Sequence, residues 1–160
     1  MKLKLKQAYI KVAETFSQLS HAKRLKVGSI IVKDNRIISI GYNGMPSGWD
    51  NVCEESISCH ELGTTYEWTK KEVLHAESNA IAKVARSNES CDNAAIFCTH
   101  EPCLECAKLI YQSGITEVYY KHEHNSQNYG SGIDFLVESG IYVEMLNEDS
   151  SDHWYALWCS

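Results

Sequence analysis

The sequence predicts an α/β fold, with three αβα layers around a mixed five-stranded sheet. Two observations carry this expectation. The chain has 160 residues, of which 44% are hydrophobic, enough to build a core in one domain. Its apolar patterning switches between helical spacing and short β-branched runs in the order α-β-β-α-β-α-β-α-β, which implies a sheet flanked by helices.

The elements follow in order. Tyr9, Val12, Phe16 and Leu19 recur at helical spacing, so residues 5–20 read as an amphipathic helix. Val27–Val32 is β-branched, Asp34-Asn35 is a turn signal, and Ile37–Tyr42 follows, predicting a hairpin. Residues 43–74 are rich in Gly, Ser, Asn and Thr and read as an irregular insertion with a short helix near Glu67–Glu72. His75–Arg86 reads as a helix, Ala94–Thr99 as a strand, and Cys103–Gln112 as a helix stopped by Gly114. Glu117–Lys121, Ile133–Glu138 and Ile141–Leu146 complete the pattern as strand, helix and strand. Residues 1–160 are thus expected to be a single domain. Its tail, about residues 147–160, carries Trp154, Tyr155 and Trp158, aromatics that need a surface to pack on.

The formal net charge of −6 disfavours a broad nucleic-acid surface, which needs a basic footprint. No apolar run is long enough to span a bilayer, so no membrane partner is expected. The start, with leucines alternating with lysines, lacks the apolar centre of a signal peptide, so the expected location is cytoplasmic. Seven cysteines cannot all pair within the chain, which favours metal binding or plain burial over a disulfide framework.

Two segments carry the chemistry: His75-Ala76-Glu77 and Pro102-Cys103-Leu104-Glu105-Cys106. Cys103 and Cys106 are three apart, so at a helix start they share one face, and the positive helix end stabilises thiolates. His75 can add a third ligand from another helix start. Three protein ligands leave one tetrahedral position open, the layout of a catalytic zinc. Two thiolates neutralise the ion's formal charge and weaken its acidification of water, so a nearby base is useful. Glu77 is the candidate, placed to take a proton from water and pass it on. Alone, Cys-x-x-Cys also suits a redox pair or a structural zinc, and His-x-Glu also suits a helix surface. Lys23, Arg24 and Lys26 form a basic cluster that could meet a phosphate, though such clusters also occur as solvated faces.

The two segments together resemble the signature of the zinc deaminases. From about Lys23 to Leu146 the sequence is similar to the cytidine deaminase superfamily, and within it to the deoxycytidylate (dCMP) deaminases of phage and bacterial type. Beyond the zinc motif, the resemblance rests on Arg24-Leu-Lys-Val-Gly28, Gly41-Tyr-Asn-Gly-Met-Pro-Ser-Gly48, His75-Ala-Glu-Ser-Asn-Ala-Ile81 and Pro102-Cys-Leu-Glu-Cys-Ala-Lys108. It implies a cytidine deaminase-like fold and hydrolysis of dCMP to dUMP and ammonia, supplying the precursor for dTMP. It implies that Asn43 bonds the sugar or base, that backbone around Ala76 orients the pyrimidine, and that Tyr120 packs against the base. It further implies a homohexamer activated by dCTP and inhibited by dTTP, with Mg²⁺ on the triphosphate. The regulatory site would draw on Gly41, Tyr42, Asn43, Gly44, Met45 and Gly48, with Arg86 coupling subunits.

The sequence departs from some relatives that carry a second, structural zinc: Ala22 and Thr65 stand where ligands are expected, while Cys53, Cys59 and His60 remain nearby. Cys91, Cys98 and Cys159 read as buried or incidental, and His122 and His124 as rim or surface histidines. The competing functions are deamination of dCTP, of cytidine or deoxycytidine, or of adenosine in tRNA, and a non-catalytic zinc module that binds nucleotides.

Overall fold

The computed structural model describes residues 1–59, 64–123 and 131–146. Five strands form the central sheet: β1 (Gly28–Lys33), β2 (Arg36–Tyr42), β5 (Ala95–His100), β6 (Glu117–His122) and β7 (Tyr142–Met145). The spatial order is β2-β1-β5-β6-β7. β1 runs antiparallel to β2 and β5, whereas β5, β6 and β7 are parallel, so the sheet is mixed as expected. Asp34 and Asn35 both have positive φ (50° and 58°), the tight-hairpin geometry that Asx residues tolerate.

Alternation along the strands builds two cores. Ile30, Val32, Ala95, Phe97 and Tyr119 face helix α1 (Leu3–Ser17), where Tyr9, Ile10 and Ala13 meet them. Phe97 stacks on Tyr119 at 4.6 Å between ring centroids. Ile31, Ile96, Cys98 and Val118 face the other way, onto α2 (Ala76–Val84), α3 (Leu104–Gln112) and α4 (Ile133–Glu138). The three-layer prediction therefore holds. α3 and α4 are the crossovers between parallel strands, so the carboxyl ends of β5 and β6 open toward the loop that carries Cys103. In open α/β sheets this is the usual place for a ligand.

The sequence reading of residues 43–74 needs correction. The segment carries a second, two-stranded sheet, β3 (Glu54–Cys59) against β4 (Thr64–Thr69), and no helix forms near Glu67–Glu72. Thr64, Thr65, Tyr66, Trp68 and Thr69 are β-branched or aromatic and favour a strand, a local signal outweighed in the sequence by the surrounding polar residues. At the base of this hairpin, Ala22, Cys53 and Val73 form a small cluster with Met45. Among the described residues no helix is long and apolar enough to cross a membrane. His60, His124, Cys159 and the tail aromatics lie outside the described residues.

Candidate metal centre and active site

His75 and Cys103 occupy equivalent positions, each the extended residue immediately before a helix, with ψ of 154° and 166°. Cys106 lies in the first turn of α3. Two helix N-termini therefore converge on the thiols, and their partial positive charge favours thiolates. His75 Nδ1 lies 3.4 Å from both Cys103 Sγ and Cys106 Sγ. All three ligand atoms fall within 4.8 Å of one another. Zinc–nitrogen and zinc–sulfur bonds of about 2.1 and 2.3 Å at a tetrahedral angle give an N···S span of about 3.6 Å, so the spacing fits a zinc ion. Both cysteines are buried while His75 remains accessible, which leaves one side of the cluster open.

The protons on this cluster tell the same story. The hydrogen bond from the Cys106 thiol pulls Cys103 down to about 3, with His75 assisting. The same bond, together with burial, pushes Cys106 up. The thiols thus share one proton, and the Cys103 thiolate in turn raises the neighbouring imidazole's affinity for a proton. A divalent cation bound by these three residues would displace these protons, as at any site of deprotonated ligands.

Glu77, in the first turn of α2, is only 4% exposed. Burial raises its carboxyl above the usual carboxylate range, partly offset by its own backbone N–H and by His75. His75, Ala76, Glu77 and Cys103 all line one cavity of about 440 Å³, within the range of small-molecule sites. Arg24 and Asn43 line it as well. The Asn43 amide clamps the preceding loop, its Oδ1 accepting from the Val27 N–H and its Nδ2 donating to the Leu25 carbonyl, each at 2.9 Å.

The other sequence candidates lie elsewhere. Lys23 and Lys26 are exposed and off the cavity wall, with Lys26 Nζ reaching the Gln18 carbonyl. Tyr120 packs against the core and does not line this cavity. Gly41 has a packing role: a Cβ there would sit 2.0 Å from the Ala76 carbonyl oxygen, so glycine lets α2 approach β2. Gly44 bridges Leu74, immediately before His75, through two backbone hydrogen bonds. Tyr42, Met45, Gly48 and Arg86 do not line the cavity, and Arg86 follows the end of α2.

Sequence reasoning missed Glu54, Thr69, His100, Glu101 and Glu123, which also line the cavity. For His100 and Glu101 a signal was available, since they sit between a strand and the Pro-Cys-x-x-Cys segment. Glu54 and Thr69 come from the insertion and had none.

A mixed sheet with a His/Cys/Cys cluster at two helix starts and a buried glutamate beside it defines a zinc-binding deaminase. Residues 3–122 match the family described as the cytidine and deoxycytidylate deaminase zinc-binding region, and the chain belongs to that family. It is 33% identical over 166 residues to the deoxycytidylate deaminase of Enterobacteria phage T4, covering 84% of this chain and 86% of that protein. It is 39% identical over 147 residues to an uncharacterized deaminase of Aliivibrio fischeri, covering 88% and 92%. Among solved structures, the dCMP deaminase of cyanophage S-TIM5 in complex with dCMP and dUMP superposes with a TM-score of 0.78 at 46% identity, covering 91% of this chain and 98% of that one.

Proposed function

We propose that this chain hydrolyses dCMP to dUMP and ammonia, with Glu77 as the proton carrier and His75, Cys103 and Cys106 as the zinc ligands. The observation that carries this reading is the buried Glu77 carboxyl in the same cavity wall as His75 and Cys103, opposite a chemistry that needs a proton moved twice. The substrate comes from the relatives, which include a cyanophage dCMP deaminase complexed with dCMP and dUMP.

His75, Cys103 and Cys106 would hold the zinc, which when bound would supply the Lewis acidity that lets water act as a nucleophile near neutral pH. Glu77 accepts a proton from the attacking water and gives it to N3 as the water oxygen bonds to C4. The C4–N4 bond then breaks, Glu77 delivers the second water proton to the leaving nitrogen, and C4 becomes a carbonyl carbon. A carboxyl whose proton affinity is raised by burial suits this double transfer. The Ala76 backbone orients the pyrimidine. Asn43 has used one donor and one acceptor of its amide on the loop, leaving one of each for the sugar. Arg24 meets the 5′-phosphate; among the described residues it is the only lysine or arginine lining the cavity.

The same family resemblance extends the proposal to a cytoplasmic, single-domain homohexamer. dCTP–Mg²⁺ activates it and dTTP inhibits it through the Gly41–Gly48 segment and Arg86. The test is parallel turnover of dCMP, deoxycytidine and dCTP, followed by loss of cytosine absorbance, with and without each triphosphate and Mg²⁺. The proposal expects dCMP to be preferred and the two effectors to oppose each other. Equal turnover of deoxycytidine removes the phosphate contact, and indifference to both triphosphates removes the regulatory role.

A further inference from the structure

The β3–β4 hairpin packs on no other helix or strand among the described residues, yet its base reaches the cavity. A lone two-stranded hairpin is marginal in water, so its attachment at the base decides where it sits. That attachment is aimed at Arg24. Glu54 and Thr69 face one another in the strand register and both line the cavity. Glu54 is 5% exposed, and its Oε1 accepts from the backbone N–H groups of Lys23 and Arg24 at 2.8 and 3.3 Å. The Arg24 side chain spans two neighbouring residues of β4. Its Nη1 donates to Thr69 Oγ1 at 3.3 Å, and its guanidinium carbon lies 5.6 Å from the centroid of the Trp68 ring.

We propose that Trp68, with Glu54 and Thr69, is a positioning element that holds the Arg24 guanidinium ready for the substrate's phosphate. The inference rests on the reading of Arg24 as the phosphate partner. Glu77, Glu101 and Glu123 line the same cavity and can compete for the guanidinium. A side chain with four rotatable bonds loses much freedom when it binds, and a cation–π contact with an indole removes part of that cost in advance. The cation–π contact with Trp68 uses no N–H donor, and Thr69 accepts from only one of the five, so donors remain for a bidentate phosphate contact. Trp68 does not reach the reacting atoms. Its effect is expected in substrate capture, not in the chemical step.

The test is a double-mutant cycle on the full-length protein with dCMP, using Trp68→Leu, Arg24→Met and both together, with Trp68→Phe as the conservative control. Trp68→Leu should raise KM about three- to fivefold, the size of a partly exposed cation–π contact, with kcat within about twofold. Trp68→Phe should restore most of the loss. In the Arg24→Met background Trp68→Leu should cost nothing further. Deoxycytidine, which lacks the phosphate, should be indifferent to both changes. An undiminished Trp68→Leu effect without Arg24, a loss in kcat instead of KM, or no effect at all overturns the positioning role. If Arg24→Met itself leaves dCMP kinetics unchanged, the phosphate reading falls, whatever Trp68 does.

Discussion

Replacing Gly41 with alanine tests how tightly the fold holds the catalytic helix. A Cβ at this position would lie 2.0 Å from the Ala76 carbonyl oxygen, 2.7 Å from the Ala80 nitrogen and 3.0 Å from the Ala80 side chain. The two nearest neighbours are backbone atoms of α2, so no rotamer change relieves the clash. Restoring about 3 Å to the carbonyl oxygen moves the first turn of α2 by about 1 Å, and that turn carries Glu77 and follows His75 directly. Overpacking of this kind costs about 1–3 kcal/mol of stability, and a displacement of about 1 Å at reacting groups costs up to about a hundredfold in rate. Gly44, three residues on, is the internal control. A Cβ there would meet no heavy atom within 4 Å, and its φ is not left-handed, so Gly44→Ala should be neutral or gain up to about 1 kcal/mol. Urea unfolding gives the stabilities, and kcat with zinc content gives the functional loss. Gly41→Ala with unchanged stability and rate refutes the packing argument, as does a Gly44→Ala variant that is equally damaged.

Three further outcomes follow from the charge and packing of the described residues. After chelation of the metal, Cys103 should react with iodoacetamide even at pH 6, because its thiolate persists down to about 3, whereas an ordinary thiol is about one part in a thousand ionised there. Its folded value lies below the unfolded one, so the thiolate stabilises the metal-free fold at neutral pH and that contribution fades as pH falls toward about 3. Peptide mapping that finds uniform labelling, or labelling undiminished by added zinc, contradicts this. Lys6 is buried and pairs with Glu144 at 2.5 Å beneath the Tyr119 and Tyr142 rings. Lys6→Met should cost about 1–2 kcal/mol by leaving the partly buried carboxylate without its cation, and adding Glu144→Met should recover part of it; an unchanged urea midpoint refutes this. Glu54→Ala leaves the Lys23 and Arg24 N–H groups without their acceptor, so it should lose about 1–3 kcal/mol and weaken dCMP capture more than deoxycytidine capture; equal losses for both substrates count against it.

The fold was legible where periodicity is local. Alternation in Ile30-Ile31-Val32 and Ala95-Ile96-Phe97-Cys98 points to strands buried on both faces, and the structure divides those residues between two cores. The zinc cluster was legible because its ligands lie at fixed offsets within two short segments. The cavity wall was not. Glu54, Thr69 and Glu123 are brought to the cavity beside Arg24 by tertiary placement of a hairpin and a strand end, and no spacing in the sequence records that. The β3–β4 hairpin was misread because Thr65, Tyr66 and Trp68 sit among polar residues with no apolar face to anchor the period. Gly41 lies in the segment that the family resemblance assigns to regulation, and nothing in its sequence neighbourhood signals that a Cβ there would also meet the backbone of α2.

The most direct check is elemental analysis paired with dCMP turnover for the wild-type protein and Glu77→Gln, an isosteric change at a carboxyl in the cavity wall. The expected result is one zinc per chain in both proteins and a fall in kcat of about 10²–10⁴ in the variant alone. Full turnover by Glu77→Gln, or active wild-type protein without bound zinc, would contradict it.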